Sequence, residues 1–251
     1  NFWFNGIIFI FRHRKKVRVT LSKKMKATGL VLVLCLVLVM FLTEMGITQD
    51  SDLFIQAQKA RQQGDADSAY RLYEQAAEQG IRPHDAYFEM GLILLEKEKW
   101  TQAYRISGKA VKAFQEYLVL NPLDDNAWFR LAYIYENRSL APGVNEWKKA
   151  IEALQKALSI SLENPQYLLH LGYVYYKIGD KENAEVILLD LVNKYPDYID
   201  ARYYLAMNYL EKQDKEKAKQ HFTFILDKTN QENSYYQWAK KELNKIGGGN
   251  Q

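Results

Sequence analysis

The sequence predicts an all-α solenoid, in which helical hairpins stack on one another and a single helix closes the array. Three observations support this prediction. Apolar residues recur every three or four positions through residues 50–246, as they do in amphipathic helices. A pattern of small and large apolar residues repeats at intervals of about 34 residues. Glycines and prolines fall between the expected helices, where helices end.

The composition fits a folded domain that does not bind nucleic acid. Of the 251 residues, 48% are hydrophobic and 14% are aromatic, which is enough to build a core. Residues 1–44 hold eight of the 34 basic side chains and only one of the 30 acidic ones. Residues 45–251 therefore have 26 basic and 29 acidic side chains, a net charge of −3. Such a domain lacks the basic face that neutralises phosphates.

An apolar run near the N-terminus predicts a signal peptide or membrane anchor over residues 25–48. Residues 27–43 carry no charge, and these 17 residues match the lower end of the length that crosses a bilayer. The basic residues nearby precede the run and acidic residues follow it, so the positive-inside rule places the repeats on the exported side. The residues leave open whether the segment is cleaved, since Glu44 and Met45 make a poor cleavage site.

Residues 1–24 form a basic extension that precedes Met25. Met25 and Lys26 would make a natural start for a signal peptide. We therefore expect residues 1–24 to be a fragment or an upstream extension that is not part of the native protein. The intact mass of the natural protein would test this expectation.

Five successive segments share the repeat pattern. Their boundaries are 50–83, 84–124, 125–164, 165–198 and 199–232. The clearest segment, 165–198, has these residues at the repeat positions: Leu171, Gly172, Tyr175, Gly179, Ala184, Leu188 and Pro196. Small residues at such positions let the two helices of a hairpin cross closely, and large ones fill the space between hairpins. Gly64 and Gly179 predict the tight turns inside two of the hairpins.

On these residues the sequence resembles the tetratricopeptide-repeat (TPR) family over about 200 residues. The resemblance implies a right-handed α-solenoid of five hairpins over residues 49–232. A capping helix is expected at 233–246, with Tyr235, Trp238 and Ala239 on its apolar face, and a flexible tail at 247–251.

Two of the segments are longer than the repeat. In 84–124 the second helix is expected to be extended by seven residues, or about two turns. In 125–164 an insertion separates the two helices, and Pro142-Gly143 predicts a loop there. Insertions of this kind lie on one rim of a solenoid and either contact a partner or decorate the surface.

The resemblance also implies a concave groove, lined by the first helix of each hairpin, that takes a peptide or helix of a partner protein. Ten residues are predicted to line this groove: Phe88, Leu92, Leu95, Phe129, Tyr133, Leu169, Tyr173, Tyr176, Tyr203 and Met207. These side chains favour an apolar or aromatic-rich partner segment over the carboxylate-terminated chaperone tails that one subgroup of the family binds. For each of them, packing between repeats is the alternative.

The residues give no indication of an enzyme, a cofactor or a metal site. His13, His84, His170 and His221 are far apart in the sequence, and Cys35 is the single cysteine. No glycine-rich phosphate loop or nucleophile-elbow motif is present. The sequence therefore predicts an exported or membrane-anchored adaptor that helps assemble an envelope or membrane protein complex. A noncatalytic accessory subunit of a membrane enzyme, or an organelle-surface receptor with cytosolic repeats, is the alternative.

Overall fold

The computed structural model describes residues 53–247, and all regular structure within this range is helical. The helices are α1 (53–62), α2 (Ala66–Glu78), α3 (Pro83–Glu96), α4 (Trp100–Leu120), α5 (Asp125–Ser139), α6 (Trp147–Ile160), α7 (Pro165–Ile178), α8 (Lys181–Lys194), α9 (Ile199–Glu211), α10 (Lys215–Lys228) and α11 (Ser234–Gly247). The all-α prediction is confirmed for this part of the chain. The predicted signal or anchor segment at 25–48 lies outside the described residues, as does the extension at 1–24.

None of the helices between residues 53 and 247 combines the length and the apolar character that crossing a membrane requires.

The helices pair into five hairpins, each made of an odd-numbered helix and the even-numbered helix that follows it. Each second helix also packs on the first helix of the next hairpin, and α11 packs on α10 and α9. The first helices α5, α7 and α9 contact one another in succession. Because the apolar side of each hairpin is covered by its neighbours, the stability of the array depends on these nearest-neighbour contacts.

The turns inside four of the five hairpins use a left-handed residue followed by an N-cap residue. Gly64 and Gly179 adopt φ values of 80° and 81°, as the sequence predicts. At the corresponding turns of two other hairpins, Glu98 and Gln213 adopt φ values of 56° and 63°. A side chain in this conformation is strained, so these two turns carry a cost that glycine would avoid. Three aspartates cap the helices that follow: Asp65, Asp180 and Asp214.

The small residues at the hairpin crossings are packed as expected in four of the five hairpins. Ala57, Ala132 and Ala206 are fully buried in the first helices of three hairpins. In the α7–α8 hairpin, a Cβ atom added to Gly172 would lie 2.6 Å from Cδ2 of Leu188. Gly91 of α3 is the exception, because an added Cβ would have no atom within 4 Å.

Both predicted length variations are present. Helix α4 has 21 residues, whereas α6, α8 and α10 have 14 each. The insertion in the third hairpin is shorter than the sequence suggests, because α5 continues to Ser139 and the loop covers only residues 140–146.

Candidate partner-binding groove

A cavity of about 400 Å³ lies between α3, α4 and α5, and we refer to it as the apolar cavity. Its wall combines side chains from these helices with the loop at 140–146. The side chains that give the cavity its character are Tyr87, Phe88, Gly91, Leu92, Leu95, Trp100, Tyr104, Tyr133, Leu140 and Pro142. Trp100 is 63% exposed and Tyr104 is 40% exposed, so the rim of the cavity presents aromatic surface to solvent.

Arg138 joins the start of α4 to the loop at 140–146, and together they form one side of the apolar cavity. Its guanidinium lies 4.4 Å from the ring centre of Tyr104 and donates a hydrogen bond to Oγ of Ser107 at 3.1 Å, so it is held against α4. The same group pairs with Glu146 at the end of the loop. The backbone N–H of Glu146 donates to Oγ of Ser139 at 2.8 Å. The loop is therefore fixed against the extended helix α4 and forms a defined wall.

Gly91 and Ser107 explain why the crossing of α3 and α4 is open. Leu188 follows Gly172 by 16 residues in the α7–α8 hairpin and fills the crossing there. Ser107 follows Gly91 by the same 16 residues, and its side chain is much shorter than that of leucine. Both Gly91 and Ser107 line the apolar cavity. The space that a leucine occupies in one hairpin is thus available to a ligand in the other.

A second cavity of about 260 Å³ adjoins the first, and we refer to it as the acidic cavity. It is formed by α5, α7, α9 and the last helix, α11. Its lining residues are Tyr133, Glu136, Asn137, Leu140, Leu169, His170, Tyr173, Asp200, Tyr204 and Tyr235. Tyr133, Asn137 and Leu140 line both cavities, so the two are direct neighbours, and we refer to them together as the groove.

The acidic cavity holds two carboxylates in partly dehydrated surroundings. Glu136 is only 4% exposed, and burial raises the pKa of its carboxyl against the opposing effect of His170. Burial also raises the pKa of Asp200, with the Tyr235 hydroxyl acting in the opposite direction. Oε2 of Glu136 lies 2.8 Å from Nδ1 of His170. Burial raises the pKa of Tyr173 to about 12, so its hydroxyl remains neutral and able to donate a hydrogen bond.

Six of the ten residues predicted to line the groove lie in one of the two cavities. Phe88, Leu92 and Leu95 line the apolar cavity, Leu169 and Tyr173 line the acidic cavity, and Tyr133 lines both.

The other four predicted residues line neither cavity. Phe129 is buried and stacks on Tyr167 with ring centres 4.8 Å apart, so it belongs to the core between two hairpins. Tyr176, Tyr203 and Met207 are half-buried and pack within the C-terminal part of the core.

Several lining residues were not predicted from the sequence. Trp100 and Tyr104 lie in the first two turns of a second helix, whereas the prediction considered only first helices. Asp200 and Tyr204 lie on α9 beside the predicted residues. Their spacing of four residues places them on one face of the helix, and this could have indicated that they lie together in the groove. Tyr235 comes from the closing helix, and no repeat position indicates its contribution.

No group of three or more His, Cys, Asp or Glu side chains within residues 53–247 is arranged to hold a metal ion.

Sequence profiles of tetratricopeptide repeats match most of the helical region. One matches residues 56–104 and 107–158, a second matches 166–198 and 200–226, and a third matches 145–179. The repeated hairpins and the groove on their first helices define a helical-repeat protein. The chain belongs to the tetratricopeptide-repeat family.

Among curated proteins, the chain is similar to the TPR repeat-containing protein MJ1428 of Methanocaldococcus jannaschii. The two are 25% identical over 186 residues, which is 65% of this chain and 30% of that protein. The chain therefore spans about a third of the length of this relative.

Solved structures share the fold. The chain is similar to PilW, described as a widely conserved type IV pilus biogenesis factor, with a TM-score of 0.62 and 16% identity over 80% of this chain and 87% of that one. It is similar to a thermophilic TPR protein of Thermus thermophilus, TTC0263, with a TM-score of 0.59 and 16% identity over 77% and 98% of the two chains. It is also similar to YrrB, described as a TPR protein with an unusual peptide-binding site, with a TM-score of 0.53 and 20% identity over 75% and 90%.

Proposed function

We propose that this chain is a noncatalytic scaffold whose groove, made of the apolar and acidic cavities, binds a segment of a partner protein. The observation that carries the proposal is the apolar cavity of about 400 Å³, which is open at the crossing of α3 and α4 and rimmed by exposed aromatic side chains. A concave site with apolar walls and a few polar groups is typical of ligand recognition. Exposed Trp and Tyr side chains in such a site are the residues that most often dominate binding energy.

The geometry of the wall favours a defined partner over nonspecific adhesion. Arg138 is committed to Ser107, Tyr104 and Glu146, so the insertion loop is held in place without a ligand. A preformed wall reduces the ordering cost of binding. TPR solenoids with this fold include a protein described as having a peptide-binding site, YrrB, and a pilus biogenesis factor, PilW, which supports a binding role without specifying a partner.

A photo-cross-linking experiment tests this proposal. A benzoylphenylalanine is placed at position 92 in the apolar cavity, or at position 186 on an exposed surface of α8 where Val186 is 67% exposed. Irradiation in the native host should join one partner protein to the position 92 variant and not to the position 186 variant. Equal labelling from both positions, or none from position 92, would contradict the proposal.

The cellular setting that we propose is the extracytoplasmic face of a membrane, in the periplasm if the host has one. Residues 25–48 would act as a signal peptide or anchor, and the scaffold would help assemble an envelope or membrane protein complex. The support is the charge distribution around the apolar run at 27–43. Protease added to intact cells with a permeabilised outer layer should digest the repeats. Protection of the repeats would favour the organelle-receptor or cytosolic orientation.

The second candidate is a noncatalytic accessory subunit of a membrane enzyme, favoured by the same apolar run at 27–43. Deletion of the gene separates this candidate from the assembly role. An accessory subunit would leave a complex that is assembled but inactive, whereas an assembly factor would leave its components unassembled.

A further inference from the structure

Glu136 is a buried carboxylate with one unused oxygen. It is 4% exposed and lines the acidic cavity. Its Oε2 is paired with His170, but its Oε1 has no hydrogen-bond partner among residues 53–247. A buried carboxylate oxygen without a donor is costly, and such groups are rare in native structures. An incoming donor would remove this cost.

No lysine or arginine balances the two carboxylates of the acidic cavity, whose one basic lining residue is His170, paired with Oε2 of Glu136. Glu136 comes from α5 and Asp200 comes from α9, and no lysine or arginine is among the residues that line the cavity. Arg138, the arginine nearest to Glu136 in the sequence, is committed to Glu146 and to α4. Arg202, the nearest to Asp200, donates to the carbonyl oxygen of Pro196 and lies over the ring of Phe224. The two carboxylates therefore share one imidazole, and no lysine or arginine lies on the walls of the cavity.

Tyrosine rings surround these carboxylates. Tyr133, Tyr173, Tyr204 and Tyr235 all line the acidic cavity, and the ring centres of Tyr173 and Tyr204 are 4.9 Å apart. The face of an aromatic ring attracts a cation, and the attraction is stronger where water is excluded. Carboxylates together with aromatic faces form an environment that recognises an ammonium or guanidinium group.

We propose that the acidic cavity binds a lysine or arginine side chain of the same partner segment whose apolar residue occupies the apolar cavity. This inference rests on the proposed function, because it takes the groove as the binding site for a partner. The two cavities share Tyr133, Asn137 and Leu140, so a segment crossing them places neighbouring side chains in both. The recognised pattern is thus an apolar residue close to a basic one.

A peptide-selection experiment tests the inference on the full chain. Random dodecapeptides are selected on the wild type, on Glu136→Gln combined with Asp200→Asn, and on Gly91→Leu, which places a branched side chain in the apolar cavity. The control is Glu152→Gln combined with Asp227→Asn, which removes the same two charges from exposed positions. Far-ultraviolet circular dichroism checks that each variant is folded. Glutamine and asparagine keep the shape of the side chains that they replace, so the fold should be retained.

The expected result is that the wild type and the control select peptides with an apolar residue near a lysine or arginine. The Glu136→Gln, Asp200→Asn variant should keep the apolar preference and lose the basic one, with affinity for a selected peptide falling by about tenfold or more. Replacing the basic residue of that peptide by norleucine should cause a similar loss in the wild type and little further loss in the variant.

Five outcomes would overturn the inference, and they differ in what they say about the proposed function. Selection for apolar residues without a basic preference, or a basic preference that survives in the charge-removed variant, leaves the groove as a binding site but rejects the cation pocket. Displacement of the peptide by free spermidine more readily than by the selected peptide itself would assign the cavity to a small polyamine. Selection of nothing, or of the same peptides by Gly91→Leu, would reject the inference and the proposed function together.

Discussion

Two glycines at the same repeat position should respond oppositely to alanine. At position 172, the new Cβ would lie 2.6 Å and 2.7 Å from Cδ2 and Cγ of Leu188, which is itself fully buried. Overpacking of this kind costs about 1–3 kcal/mol, and the better helix propensity of alanine returns about 1 kcal/mol. We expect Gly172→Ala to lower the free energy of unfolding by up to about 2 kcal/mol. At position 91 no atom lies within 4 Å, so Gly91→Ala should raise it by about 0.5–1 kcal/mol.

The assay is guanidinium unfolding followed by circular dichroism at a fixed pH, with both variants and the wild type measured together. A third variant, Leu188→Ala, should cost about 2–5 kcal/mol on its own because it empties a packed site. In the Leu188→Ala background the atoms that clash with position 172 are gone, so Gly172→Ala should then be neutral or stabilising. Equal effects of alanine at positions 91 and 172, or no coupling between positions 172 and 188, would refute the account of the open crossing.

Three further predictions concern turns and titrating groups. Gln213→Gly should raise the free energy of unfolding by about 0.5–1 kcal/mol in the same assay, because Gln213 has a φ of 63°. The control is Lys212→Gly, which should not stabilise the protein, because Lys212 has a φ of −80°. Burial and then Arg202 lower the pKa of His221 to about 4, so the native imidazole stays neutral; its contribution to stability is present above about pH 6.5 and is lost as the pH falls toward 4. An imidazole titration by nuclear magnetic resonance with a midpoint near 6.5 would contradict this. Burial raises the pKa of Glu136, so the wild type loses stability as the pH rises through that pKa. Glu136→Gln should therefore have a higher melting temperature than the wild type at pH 8, and the difference should be smaller at pH 4. A difference in melting temperature that does not depend on pH would argue against a buried ionised carboxylate.

The repeat pattern was sufficient to predict the helices and several turns. Gly179 predicted a left-handed turn, and the extra residues of the second segment predicted the long helix α4. These features depend on residues close in sequence, for which periodicity and turn chemistry are informative. The turns at Glu98 and Gln213 adopt the same left-handed conformation without glycine. Tertiary contacts within a hairpin can override such a local preference.

The groove was only partly predictable, because neighbouring hairpins decide which positions are open. Phe88 and Phe129 occupy the same repeat position, yet Phe88 lines the apolar cavity and Phe129 is covered by Tyr167. Gly91 fits the close-packed pattern, and its openness follows from Ser107 on the facing helix. The acidic cavity is lined by side chains of four helices, including Tyr235 of the closing helix. A repeat pattern of about 34 residues does not indicate which side chains of different hairpins contact one another.

Gly91 also provides the most direct test of the claim that the groove is the binding site. Once a partner or a selected peptide is in hand, its affinity is measured by calorimetry for the wild type, Gly91→Ala and Gly91→Leu. The account predicts that Gly91→Ala binds nearly as well as the wild type, whereas Gly91→Leu binds at least about tenfold more weakly, since its side chain occupies the cavity that the ligand needs. Unchanged affinity in a folded Gly91→Leu variant would contradict the account and place the binding site elsewhere on the solenoid.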